Sequence, residues 1–297
     1  MMIRICKTIA ALLFSISSYA QGYVDQVAIY PISESQRGDI ANIRRAQWIT
    51  YRYTGNLDTL NAYLNRFPGN CAGNRRYIIE LANRITFDNL QKGRLLFVPV
   101  YYEEDYRAYT PYPFQYDIAA SLPKLFVIDK YTQTFAAYEY GKLVRWGLVS
   151  TGRKNELTPQ GRYNFNWKAY YKKSTAAPPG EVWEMYWVFD FHARFGIHVH
   201  QYQLPIGAAV SHGCVRTAEA DAVWNYNWAN QWVHDKKGNL VRNGTPVMVI
   251  NANPKGRPAQ WKLVNNDVVS QVQLPAAFSE VRAGTVAQKQ CAWESGW

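Results

Sequence analysis

The sequence predicts a mostly β fold with few helices, preceded by a smaller α/β region. Three observations predict it. From Lys124 onward, short runs of β-branched and aromatic residues alternate with turn residues. Helical spacing is confined to two stretches in the first hundred residues and one after Ala218. A chain of 297 residues that is 48% hydrophobic can build one large domain, or one domain with a smaller companion.

Residues 1–20 carry Arg4 and Lys7, an apolar run from Ile9 to Phe14, and the small-x-small ending Ser18-Tyr19-Ala20, the pattern of a secretory signal peptide. An apolar run this short falls well below the ~20 residues that a membrane span needs. No later segment is long and uncharged, so the expectation is an exported, periplasmic protein with no membrane span once matured. No cysteine directly follows the apolar run, which speaks against a lipid anchor.

Residues 21–118 form an N-terminal region with helical spacing at Asp58 to Phe67 and Arg76 to Arg84, then the apolar run Leu95 to Val100. The proline- and tyrosine-rich stretch Tyr109 to Phe114 reads as a linker. Residues 119–251 hold the predicted strands Leu125 to Ile128, Phe135 to Tyr140 and Leu143 to Val149, with turns at Asp129-Lys130-Tyr131 and Gly141-Lys142. One helix is predicted from Ala218 to Trp232, where Trp224, Trp228 and Trp232 recur every four residues as a core stripe. Thr245 to Ile250 returns to a strand, and the extension 252–297 is polar, irregular and without an assigned function.

Lys and Arg number 33 against 22 Asp and Glu; without Arg4 and Lys7 the basic excess is nine. Such a balance favours an anionic partner. The leader and the absence of a dense basic run argue against nucleic acid, whereas a cell wall rich in carboxylates suits the compartment. A merely soluble basic surface is the plain alternative. Loss of the leader removes Cys6 and leaves Cys71, Cys214 and Cys291 in an oxidising compartment. Of this odd count one thiol stands alone, and the simplest division pairs Cys71 with Cys291 and leaves Cys214 free.

Chemistry concentrates in Gly196-Ile197-His198-Val199-His200 and Ser211-His212-Gly213-Cys214-Val215-Arg216. The thiolate is the reactive form of cysteine, so a catalytic Cys214 needs an imidazole beside it to ionise the sulfur. Three of the five histidines lie within sixteen residues of it. His198 and His200, two apart on a strand, face one side, so either can reach the thiol. Gly213 admits an acyl group and lets backbone N–H groups turn toward an oxyanion. Other readings stand beside this one: a buried structural cysteine, a binding module without catalysis, or a zinc site using His198, His200, His212 and Cys214. Against zinc, no Asp or Glu lies close by to act as base or outer partner.

Ser211-His212-Gly213-Cys214 followed by an apolar residue and Arg216, with Ile197-His198 upstream, resembles the signature of the L,D-transpeptidase catalytic domain, also called the YkuD domain. Thr151-Gly152, Thr158-Pro159-Gln160-Gly161, Pro205-Ile206-Gly207 and Gly244-Thr245-Pro246-Val247 extend the resemblance over residues 123–251. It implies a β-sandwich-type mixed sheet. It also implies Cys214 as nucleophile, His198 as its base, His212 and Gly213 shaping the pocket, and Ser211 as an orienting hydroxyl. Arg216 would meet a substrate carboxylate, with His200 on the substrate side; the family usually has Gly or Ser where Val199 stands.

The implied substrate is the peptidoglycan stem peptide. The thiolate releases the terminal D-alanine of a tetrapeptide stem and passes the thioester to an acceptor amine from another stem, a lipoprotein lysine or a free D-amino acid. Water in place of the amine would make the enzyme an L,D-carboxypeptidase, and no metal or organic cofactor is implied. Trp167 to Trp187, with Pro178-Pro179-Gly180 at its tip, is the expected lid. Tyr53 to Pro99 is similar to a LysM wall-binding module through Leu60, Ile79, Asn83 and the ending Leu90 to Pro99.

Overall fold

The computed structural model describes residues 22–192, 194–254 and 272–284, and the backbone of 263–264 and 267–268. The proposed signal peptide and Cys291, hence the Cys71–Cys291 pairing, lie outside the described residues. The Cys71 thiol donates to Gly73 O at 2.6 Å.

The N-terminal region opens with α1 (Gln26–Glu34), whose first turn is capped by Asp25. It continues through β1 (Trp48–Arg52), α2 (Leu57–Leu64), α3 (Arg75–Asn83) and β2 (Leu95–Pro99). Asn56 and Asn74 cap α2 and α3, accepting from Thr59 N and Tyr77 N. β1 and β2 pair antiparallel from Trp48 opposite Pro99 to Arg52 opposite Leu95. Asn83, fully buried, ties α3 to β2 by donating to Ile79 O and Phe97 O and accepting from Phe97 N. Tyr53, Leu60, Leu64, Ile79, Phe87, Leu96 and Val98 form a small core of their own.

The remainder is built on β3 (Leu125–Asp129), β4 (Thr134–Glu139), β5 (Lys142–Ser150), β6 (Gly161–Asn164), β7 (Lys168–Lys173), β8 (Glu184–His192), β9 (Ile197–Gln201) and β10 (Val215–Thr217). Then follow α4 (Glu219–Trp228), the short pair β11 (Val233–His234) and β12 (Leu240–Arg242), and β13 (Pro246–Ile250). Nine strands form one mixed sheet in the order β6-β13-β3-β4-β5-β10-β9-β8-β7. The expected sandwich is this single sheet curled on itself: beyond β6, Phe165 stacks on Phe189 of β8 at 4.2 Å between ring centres.

The central strands read as continuous apolar runs because both faces are covered. In β3, Phe126 and Ile128 enter the core inside the curl, while Leu125 and Val127 face the core shared with the N-terminal region. Val247 and Val249 of β13 likewise face inward, and Met248 and Ile250 outward. The predicted turn at Gly141 is realised with Tyr140 (φ 46°) and Gly141 (φ 75°) both left-handed, as a two-residue hairpin of this twist requires.

Two expectations change in extent or character. The helix after Ala218 ends at Trp228, so Trp224 and Trp228 stack at 4.8 Å while Trp232 lies beyond it. Tyr109 to Phe114 is no solvent-spanning linker: Tyr109 and Tyr112 are buried, and Arg45 donates to Thr110 O and Tyr112 O. The shared core runs across position 118, from Val24, Ile29 and Trp48 to Leu125 and Trp146, and takes in Val272 and Val281 of the extension.

Candidate active site

Strand register sets three groups in a row. Parallel pairing of β9 with β10 places Val199 beside Val215, which brings Cys214 next to His198 one residue earlier. Antiparallel pairing of β8 with β9 sets Asp190 opposite His198. The Cys214 Sγ is 3.6 Å from His198 Nδ1, and His198 Nε2 is 3.4 Å from Asp190 Oδ2. Asp190 Oδ1 accepts from the Asn166 side chain, and Asn166 is itself held by bonds from its N to Asp190 O (2.7 Å) and from Trp232 N to its O (2.8 Å). The edge of Trp167 closes on the His198 ring at 5.2 Å.

Asp190 was not expected. It overturns the argument that no carboxylate stands near these histidines. The signal was there, an acid between Phe189 and Phe191 in a strand buried on both faces.

Burial decides the resting charges. Desolvation pushes the Cys214 thiol up to about 11, against the lowering effects of His198, Arg216 and Lys172. Desolvation, then His200 and Lys172, pushes His198 down to about 3. The pair therefore rests as thiol and neutral imidazole rather than as the ion pair the sequence suggested. Desolvation raises the Asp190 carboxyl to about 6, so it is an anion at neutral pH.

The loop before Cys214 is held from beneath. Ser211 Oγ donates to Cys214 O and accepts from Gly213 N at 3.2 Å. Gly213 has φ +111°, a conformation that L side chains rarely adopt. The buried Thr158 hydroxyl donates to Gly213 O (2.7 Å) and accepts from Gly152 N (2.9 Å). A Cβ on Gly152 would lie 2.9 Å from Gly213 Cα and 1.9 Å from Glu156 O, so only glycine fits. The Thr151-Gly152 and Thr158-Pro159 segments are thus the shelf under the loop before Cys214. Gln133 and Asn253 brace it: Gln133 exchanges two bonds with Thr151 and Asn253 donates to Gly152 O at 2.7 Å. Neither was singled out in the sequence.

Cys214 is partly exposed on the floor of a pocket of about 630 Å³, counting space open to solvent. His198, His200, Ser211, His212 and Arg216 line it with Cys214, and Gly213 lies in the loop between. His200 shares the side of His198, but its Nδ1 is 2.9 Å from Gln201 O, and desolvation pushes it down to about 4. His212 is a wall rather than a second base: its ring tilts against Trp183 at 4.6 Å, and its Nε2 is 2.8 Å from an Arg153 nitrogen and 3.7 Å from Glu156. Arg216 lies over the Tyr202 ring at 4.6 Å. The β7–β8 hairpin covers the pocket with Lys172, Ser174, Thr175, Ala176, Trp183 and Met185. Lys172, over Trp167 at 5.0 Å, gives the pocket a second cation that the sequence reading did not name. Among the described residues no three His, Cys, Asp or Glu side chains come together as a metal-ligand set, so the four zinc candidates do not converge.

A thiol, an imidazole and a buried carboxylate thus stand in line under a β-hairpin. Residues 123–249, somewhat under half of the chain, match the family model of the YkuD L,D-transpeptidase catalytic domain. Comparison with curated proteins gives no match. Among solved structures, the chain is similar to an L,D-transpeptidase from Mycobacterium smegmatis, at 19% identity over 54% of this chain and 64% of that one, with a TM-score of 0.35. It is also similar to L,D-transpeptidases from Xylanimonas cellulosilytica (22% identity, 70% and 97% covered, TM-score 0.39) and Mycobacterium tuberculosis (17%, 70% and 93%, TM-score 0.36). The chain thus spans under two thirds of the length of the Mycobacterium smegmatis protein. No helix among the described residues is long and apolar enough to cross a membrane.

Proposed function

We propose that this protein is an exported, cysteine-dependent peptidoglycan L,D-transpeptidase. The observation that carries the reading is the Cys214–His198 contact on the floor of a covered pocket, in the segment that matches the family model. Cys214 Sγ attacks the carbonyl carbon before the terminal D-alanine of a tetrapeptide stem as His198 Nδ1 takes the sulfur's proton. The Cys214 N–H stabilises the oxyanion, the Gly213 N–H being engaged by Ser211. On collapse the C–N bond breaks, D-alanine leaves with the proton from His198, and the acyl group remains as a thioester. An acceptor amine then attacks, His198 removes its proton, and the C–S bond breaks to restore the thiol. Arg216 holds a substrate carboxylate, His200 and His212 form walls, and the β7–β8 hairpin holds water off.

The unit from Trp48 to Pro99 is proposed as a wall-binding module, supported by its strand-helix-helix-strand order and separate small core. Sedimentation of the full chain with purified sacculi, at concentrations where Leu60→Asp stays in the supernatant, tests it.

The function is tested by incubating the mature protein with sacculi, digesting with muramidase and weighing the fragments. Stems cross-linked through their third residues, or a lipoprotein lysine or D-amino acid joined there, should appear with the native protein and vanish with Cys214→Ala. Loss of D-alanine alone would make the enzyme an L,D-carboxypeptidase, and full activity of Cys214→Ala would overturn the mechanism.

A further inference from the structure

The carboxylate behind His198 has no structural task that accounts for its cost. Asp190 is fully buried, and its Oδ2 has no hydrogen-bond partner among the described residues apart from the approach of His198 Nε2 at 3.4 Å. His198 Nε2 is in the same position. A carboxylate taken out of water without a strong partner destabilises the fold, and an apolar residue between Phe189 and Phe191 would avoid this.

We propose that Asp190, steadied by Asn166, is a positioning residue that holds the His198 proton on Nε2 and so leaves Nδ1 free to take the proton of Cys214. The inference rests on the reading of His198 as base. A neutral imidazole carries one ring proton, and the hydrogen bond made by one nitrogen determines which. With Asp190 ionised, the proton faces the carboxylate and the lone pair faces sulfur. Without it, the ring can place its proton on Nδ1, toward Sγ, where it cannot act as base. Asn166 contributes by fixing the other carboxylate oxygen, so the orientation of Asp190 does not depend on His198 alone. Nothing else in the row can substitute. Around Asp190 the titratable or charged groups are His198 from β9, Cys214 from the loop before β10, and Lys172 from β7, and none of these is an acid that could replace it.

The test reads the ring directly. In the mature protein labelled with nitrogen-15 histidine, the His198 nitrogen shifts at pH 7.5 should show the proton on Nε2. In Asp190→Ala the single form should give way to a mixture, and alkylation of Cys214 by iodoacetamide, followed by peptide mapping, should slow about 3- to 10-fold. Circular dichroism checks folding, and Asn166→Ala, which keeps the carboxylate, should give a smaller loss. A native proton on Nδ1 overturns the proposal whatever the variants do, as does an Asp190→Ala protein with native shifts and an alkylation rate within twofold. His198→Ala separates the two readings. If it slows alkylation and Asp190→Ala does not, only the role of Asp190 fails; if neither slows it, the assignment of His198 as base fails first.

Discussion

Thr158→Val should uncouple the shelf beneath Cys214 from the rest of the sheet. The hydroxyl is buried and makes two bonds, to Gly213 O at 2.7 Å and from Gly152 N at 2.9 Å. Valine has nearly the same shape, so no cavity opens and the change isolates hydrogen bonding. It leaves one backbone acceptor and one backbone donor buried without a partner, each costing about 1–3 kcal/mol, so the expected loss is about 2–6 kcal/mol. For a chain of this size that is a fall in Tm on the order of 10 °C. Urea unfolding followed by tryptophan fluorescence gives the free energy, and Cys214 alkylation reports whether the loop has moved. Thr158→Ser, which keeps the hydroxyl, should recover most of the loss. A Thr158→Val protein within about 0.5 kcal/mol of native, in the range of ordinary surface changes, would refute the claim that this hydroxyl holds the loop before Cys214.

Three further outcomes follow from buried charge. Asp221 Oδ1 accepts from Arg145 Nε at 2.9 Å with both side chains buried, Glu34 adding a second, 3.3 Å contact. Asp221→Ala should cost about 3–5 kcal/mol in chemical unfolding, because Arg145 keeps its charge and loses its buried partner. His198 and His200 fold with lowered values of about 3 and about 4, so their contribution is complete above the ordinary histidine value and is lost as pH falls toward the folded ones. Stability should therefore drop by several kcal/mol, roughly, between pH 6.5 and pH 3. Asp190 has the opposite sign: raised to about 6, it costs stability progressively as pH rises from about 4 to 6. Asp190→Asn should accordingly be more stable than native at pH 7, by up to about 3 kcal/mol, and steeper in its acid loss, as read from urea titrations at each pH. Equal stability of the two proteins at pH 7 would contradict this.

The loop before Cys214, the shelf segments and most strands were legible because each is written locally. Ser211 to Arg216 is contiguous, the hairpin turn at Gly141 shows its glycine, and the β3 and β13 runs show their apolar residues. What escaped is made by strand register and by contacts between separate segments. Asp190 meets His198 only because β8 pairs with β9 in one register, shifted by irregularities on either side of the pair, and no spacing in the sequence specifies that. Gln133 and Asn253 reach Thr151 and Gly152 from 18 and 101 residues away. Tyr109 to Phe114 looked like a linker because proline and tyrosine suit a surface turn, yet the tyrosine rings fill the shared core. The segment from Trp167 to Trp187 was read as a lid for its aromatic content. It is largely the strands β7 and β8, with only the intervening loop and the strand ends over the pocket.

The most direct measurement of the central claim is intact mass after rapid mixing with a synthetic tetrapeptide stem ending in D-alanine, quenched in acid to preserve a thioester. The protein should gain the mass of the acyl tripeptide at Cys214, with one D-alanine released per adduct, and the adduct should form far more slowly in His198→Ala. Release of D-alanine at the native rate from Cys214→Ala, or an adduct mapping to any other residue, would contradict it.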